Sequence, residues 1–179
     1  MADATSPLNN AVRGRYIVPS ISSDPVQVDP AAPGTVMRYA LAIEAGFNIV
    51  GATGMILYPS RFLSPMVTNQ SQVSAASASL VQWVGGLLFV LTVPILLCTP
   101  NTRRAIESRP TVYYTLLAGE GTLIPILLYQ AAAAPDSGLT PKALLLFSSG
   151  LVMPLAWRLF VLFKRPEWMG RYRDARKQA

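Results

Sequence analysis

Four stretches of the chain, residues 35–58, 80–98, 112–130 and 142–163, are apolar almost throughout and are separated by segments rich in proline, serine and charge. Within them the apolar positions neither alternate as in a half-buried strand nor fall on one stripe of a helix, so each reads as a segment that is apolar all round. A helix crossing the hydrocarbon layer needs about 17 to 25 residues at about 1.5 Å rise each, and it satisfies its backbone polar groups internally. The pattern therefore predicts an all-α polytopic membrane protein, a bundle of four transmembrane helices. The short alternating segments of about ten residues that a transmembrane barrel requires are absent.

The polar segments complete the organisation. Residues 1–34 hold five prolines, two arginines and no sustained apolar run, which predicts a flexible cytoplasmic arm with neither a signal peptide nor a packed domain. Residues 164–179 read as a basic cytoplasmic tail. No internal repeat is evident, and the connections are too short for a second domain, so 35–163 should form one bundle. The composition agrees: 51% of the 179 residues are hydrophobic and 13% charged, too apolar for an ordinary soluble domain.

Basic residues are retained on the cytoplasmic face of membranes. Arg13, Arg15 and Arg38, then Arg103, Arg104 and Arg109, then Lys164, Arg165, Arg171, Arg173, Arg176 and Lys177 make twelve on one side, against Arg61 and Lys142 on the other. Both termini and the middle loop are thus expected in the cytoplasm, with the endoplasmic reticulum as the host membrane. The net charge of +6 is accounted for by topology and anionic headgroups, so lipids and not nucleic acid are the expected charged partners. Tyr58, Trp83, Tyr113, Tyr129 and Trp168 lie near span ends, where aromatic rings settle at the headgroup level. Asn69-Gln70-Ser71 is a glycosylation acceptor triplet if its loop is lumenal.

The chain contains no histidine and a single cysteine, Cys98. Histidine-ligated haem or metal, a Ser-His or Cys-His nucleophile and a CxxC redox pair are thereby removed. No glycine-rich phosphate loop follows a strand. Cofactor-free chemistry is expected, with no metal site.

Three charges lie inside the spans, Glu44, Glu120 and Arg158, where an ionised side chain costs at least about 2.5 to 3.5 kcal/mol. Counted from each span's midpoint, they fall about 4, 2 and 8 Å toward the cytoplasmic side at ~1.5 Å per residue, so their heads converge. Asn48 shares a helix face with Glu44, Tyr113 stands two turns before Glu120, and Gly119 and Gly121 leave open space beside that carboxyl. Pro94, Pro125 and Pro154 interrupt three spans; they either bend the helices around a pocket or are ordinary membrane-helix prolines. In one reading Arg158 pairs with one glutamate while the other is protonated or bonded to Asn48 or a tyrosine, and the group only holds the bundle together. In the other, two carboxyls facing one cavity are a general acid and a general base. Tyr58, Trp83, Tyr113 and Trp157 would then offer electron-rich faces to a lipophilic substrate with developing positive charge.

On Glu44, Asn48, the Tyr58-Pro59-Ser60-Arg61-Phe62 exit of the first span and Glu120 between its glycines, the chain resembles the small multi-span enzymes of fungal secondary-metabolite clusters, which include membrane-bound terpene cyclases and epoxide hydrolases or cyclases. The resemblance covers residues 35–165 by size and layout. It implies that Glu44 and Glu120 do acid–base work, opening an epoxide of a polyketide or terpenoid to a diol or a cyclic ether; Arg158 and Asn48 are candidate catalytic residues by their position beside the glutamates and not by the resemblance. Two other classes stay open. One is a non-enzymatic subunit or assembly factor that uses the glutamates for packing. The other is a proton-coupled transporter, which without repeated spans would need to be a homo-oligomer.

Overall fold

A computed structural model describes residues 28–133 and 138–172; residues 1–27, with Arg13 and Arg15, and 173–179, with Arg173, Arg176 and Lys177, lie outside them. The fold is all-α. Four long helices, α1 (Thr35–Leu57), α3 (Ala75–Cys98), α4 (Arg103–Ala133) and α5 (Pro141–Lys164), are each long and apolar enough to span a membrane, and a short α2 (Pro59–Leu63) follows α1. The chain is an integral membrane protein.

Local chemistry sets the helix ends. Gly34 enters α1 with φ 64°, and Pro59, which cannot continue the α1 hydrogen-bond ladder, opens α2 instead. The Ser74 hydroxyl accepts from Ser77 N while the Ser77 hydroxyl accepts from Ser74 N. This capping box starts α3 at residue 75, not 80, because small residues extend the helix beyond its apolar run. In the same way α4 begins at 103 instead of 112. Its first turns are polar, and the Arg103–Glu107 ion pair at 3.0 Å lies along them, so hydropathy alone misses them. Pro94, Pro125 and Pro154 are accommodated inside continuous helices, as is Pro110.

The bundle is built from two antiparallel pairs, α1 with α3 and α4 with α5, which meet along α3 and α4. Gly85 sets the closeness of the first pair, since a Cβ there would stand 2.9 Å from Met55 Cβ and 3.0 Å from the Ala52 carbonyl. A buried apolar core of Met37, Leu41, Ala45, Ile95, Tyr113 and Val161 joins both pairs. Outward faces carry Phe47, Val50, Leu87, Tyr129 and Met153, all exposed; this is the surface a bilayer covers.

At the end away from the core the pairs are tied by backbone. Val67 and Leu139 form an antiparallel bridge, Thr140 N donates to Met66 O at 2.7 Å, and Thr68 N donates to Gly138 O at 3.0 Å.

At the other end the tie is Arg109. The residue was expected in a loop, as one of the cations on the cytoplasmic surface; it lies in α4, wholly buried. Its guanidinium donates to the carbonyls of Cys98 (2.9 Å), Thr99 (3.3 Å), Pro100 (3.0 Å) and Met169, and to Asn101 Oδ1 (3.0 Å). These acceptors include the unpaired carbonyls at the α3 C-terminus, which helical geometry leaves without partners. Residues 28–34 and 164–172 also depart from the expected arm and tail. Asp29 N donates to Arg171 O and Arg171 N to Ala32 O, the 3-10 turn Pro166–Met169 drops Met169 into the core, and Trp168 packs against it. Apolar burial of a Trp-Met pair is what draws a basic segment onto the bundle.

Gly34 and Gly170 take positive φ, 64° and 90°, and face Arg109 so closely that a Cβ would stand 2.7 and 2.9 Å from its Nη1. Either glycine replaced by alanine is expected to lower stability by about 1 to 3 kcal/mol, through strain and displacement of the guanidinium. Gly119→Ala, where nothing lies within 4 Å, should cost nothing. Thermal unfolding of the three variants in detergent checks the contrast; equal melting temperatures would contradict it.

Candidate functional site

Glu44, Glu120 and Arg158 meet between α1, α4 and α5. Helical side chains tilt toward the N-terminus of their own helix. On α1 and α4, which start at the Arg109 end, the glutamates lean back toward that end; on antiparallel α5, Arg158 leans away from it. Opposed tilts close the depth gap that a count of residues leaves among the three.

Arg158 donates from Nη1 to Glu120 Oε1 and from Nη2 to Glu44 Oε1. Sequence reasoning paired the arginine with one glutamate; it holds both. Its side chain is 2% exposed, against 10% for Glu120 and 22% for Glu44, so Glu44 is the member open to the surroundings. Among the described residues, the buried atoms Glu120 Oε2 and Arg158 Nε have no hydrogen-bond partner. An unmet polar atom in such a place costs on the order of 1 to 3 kcal/mol. With all three groups ionised the cluster carries one surplus negative charge, so it is a buried ion group left short of both a donor and an acceptor.

Aromatic residues wall the cluster on the Arg109 side. The Arg158 guanidinium carbon lies 5.6 Å from the Tyr113 ring centroid, a cation–π contact. Trp157 Nε1 donates to the Tyr113 hydroxyl at 3.1 Å. Trp157 also packs on Trp168 and Phe160, with centroids 5.8 and 6.4 Å apart. Tyr113, expected near a span end with its hydroxyl toward a cavity mouth, is instead fully buried, in the core cluster that Met169 joins and Trp168 packs against. Trp168 belongs to the same aromatic group, its ring centroid also 5.6 Å from that of Phe160.

The remaining residues singled out in the sequence fall elsewhere. Asn48 is half-buried one turn beyond Glu44, and no hydrogen bond joins it to the cluster among the described residues. Tyr58 lies at the far end of α1, about 21 Å along the axis from Glu44 at ~1.5 Å per residue, with Arg61 over its ring. Trp83 is on the outer face of α3, 68% exposed. Neither ring is brought to the cluster. Gly119 and Gly121 flank Glu120 with open space around them. Asn69 is exposed and caps the 3-10 turn Gln70–Gln72, its Oδ1 accepting from Ser71 N at 3.0 Å.

The cluster unites residues far apart in the chain, since Arg158 follows Glu44 by 114 positions and Glu120 by 38. No protein-family model matches the chain, and neither a curated protein nor a solved structure matches it.

Proposed function

We propose that Glu44, Glu120 and Arg158 form the acid–base centre of a cofactor-independent membrane enzyme that opens an epoxide on a lipophilic polyketide or terpenoid, by hydrolysis or by cyclisation. The observation that carries this reading is the buried, partnerless Glu120 Oε2 of a carboxyl whose other oxygen is held by Arg158. A proton on Glu120 Oε2 removes the surplus charge and makes that oxygen a donor. Glu120 then delivers its proton to the epoxide oxygen as the carbon–oxygen bond breaks. Glu44, the more accessible of the two carboxylates, takes a proton from the water or substrate hydroxyl that attacks the carbon. The product is a diol or a cyclic ether, and return of the proton from Glu44 to Glu120 resets the pair. Arg158 holds both carboxyls at one depth, and Tyr113 and Trp157 fix Arg158. The enzyme would sit in the endoplasmic reticulum with the Arg109 end facing the cytoplasm, as the excess of basic residues there supports.

The test is product profiling by mass spectrometry in a host supplied with epoxidised polyketides and terpenoids. Glu44→Gln and Glu120→Gln are each expected to lower turnover by about 10²- to 10⁴-fold while the protein is still extracted as a folded species. A second reading, a non-enzymatic subunit, draws on the same arginine, because a guanidinium that engages α1 and α4 from α5 is also what a structural staple would look like. Absence of conversion of any supplied epoxide, with both variants merely unstable, would favour the staple.

A further inference from the structure

A groove of about 570 Å³ runs between α4 and α5 on the half of the bundle away from Arg109, lined by Ile124, Leu128, Lys142, Leu145, Ser148 and Val152 among others. Its volume lies within the range of about 300 to 1,000 Å³ of small-molecule sites. From Lys142 to Val152 it extends about 15 Å along α5 at ~1.5 Å per residue. The walls are almost entirely aliphatic. One end carries the exposed ammonium of Lys142, for which no acidic residue among the described ones supplies an ion pair; the nearest acid in sequence, Asp136, lies outside them. The positive end of the α5 dipole is at the same mouth. The other end approaches the ion cluster, since Ile124 and Leu128 are one and two turns beyond Glu120 on a similar face of α4.

We infer that this groove binds a single-chain lipophilic carboxylic acid, with its carboxylate at Lys142 and its chain directed along α4 toward Glu120. The inference rests on the epoxide-opening reading in one respect only: it defines the substrate class as an acid whose reacting carbon lies beyond the Val152 end of the groove, up to about 24 Å from its carboxylate, the rise from Lys142 to Arg158 at ~1.5 Å per residue. Charge and shape select this occupant. An apolar face alone would accept any acyl chain of the bilayer, but a cation with no acidic partner among the described residues, at the mouth of an aliphatic groove sized for one small molecule, favours one chain ending in one anion.

The probe is a long-chain carboxylic acid bearing a photoreactive diazirine in its chain, irradiated with the full-length protein in nanodiscs and mapped by peptide mass spectrometry. Adducts are expected at groove residues such as Ile124, Leu145 and Val152. Lys142→Met, at an exposed position, and the methyl ester of the probe should each reduce labelling about tenfold, the loss of one charge-assisted contact of about 1.4 kcal/mol. Val152→Trp, which obstructs the channel, should remove the Ile124 adduct. Labelling is read without turnover, so loss of conversion in Glu120→Gln tests the acid–base reading while loss of labelling in Lys142→Met tests this one, and the two failures are separable. Adducts spread equally over outward residues such as Phe47 and Leu87, equal labelling by the ester, or complete displacement of the acid by a phospholipid such as phosphatidic acid would overturn the proposal, the last by assigning the groove to bilayer lipid.

Discussion

Arg109→Leu is expected to release the whole Arg109 end of the bundle, at a cost of at least about 4 kcal/mol. Hydrogen bonds from a charged donor contribute roughly 1.5 to 3 kcal/mol each and do not add in full when they share one donor. Five acceptors lose their partner together, and leucine brings none. Arg109→Lys should recover only part of the loss, because an ammonium donates from a single point and cannot reach both the α3 C-terminus and Met169. Cys98 supplies the readout. It is the only cysteine in the chain and is buried beside this guanidinium, so maleimide labelling of Cys98, with trypsin cleavage after Lys164 and Arg171, should accelerate strongly in the leucine variant. Labelling at the wild-type rate would show that the core holds this end without the arginine.

Arg158→Met is the second large effect, and its sign reverses with context. Alone it leaves Glu44 and Glu120 facing each other with no counter-charge, and removal of one partner from a buried ion group costs about 3 to 5 kcal/mol. Combined with Glu44→Gln and Glu120→Gln, the same substitution removes a charge that has itself become unpaired. The triple variant is therefore expected to be more stable than Arg158→Met alone, and close to the wild type. Denaturation in mild detergent measures the series. If the triple variant proved weaker than Arg158→Met, the three side chains would contribute to stability independently instead of as one electrostatic unit.

Much of this architecture could be read from the order of residues. Apolar blocks of membrane length identify the four helices because the bilayer penalises everything else. Glu44, Glu120 and Arg158 stand out against those blocks, and counting residues places them near one depth. The helix starts at 75 and 103 were not legible by hydropathy, since capping by Ser74 and the Arg103–Glu107 pair are effects of polar residues. Arg109 was hidden for a deeper reason. Counting cations to orient a membrane protein treats each arginine as a surface charge, whereas this one serves carbonyls contributed by segments distant in the chain. A signal was present in Gly34 and Gly170, whose backbones alone leave room for it, and in the apolar Trp168-Met169 inside a basic segment. Capture of both glutamates by one arginine depended on opposed side-chain tilt, which becomes visible only when the helices are known to be antiparallel.

The sequence separation within the ion cluster bears on how the protein is made. At about 5 to 20 residues per second, Arg158 leaves the ribosome roughly 6 to 23 seconds after Glu44, given the 114 positions between them. During that interval the first hairpin, α1 with α3, is complete but its carboxyl has no arginine to meet. Release into lipid with Glu44 charged would carry the penalty of about 2.5 to 3.5 kcal/mol that a charged group meets at mid-membrane. Early helices should therefore linger at the insertion channel or with an intramembrane chaperone until α5 emerges, and chains truncated before Arg158 should be found there by crosslinking, awaiting a counter-ion that never arrives.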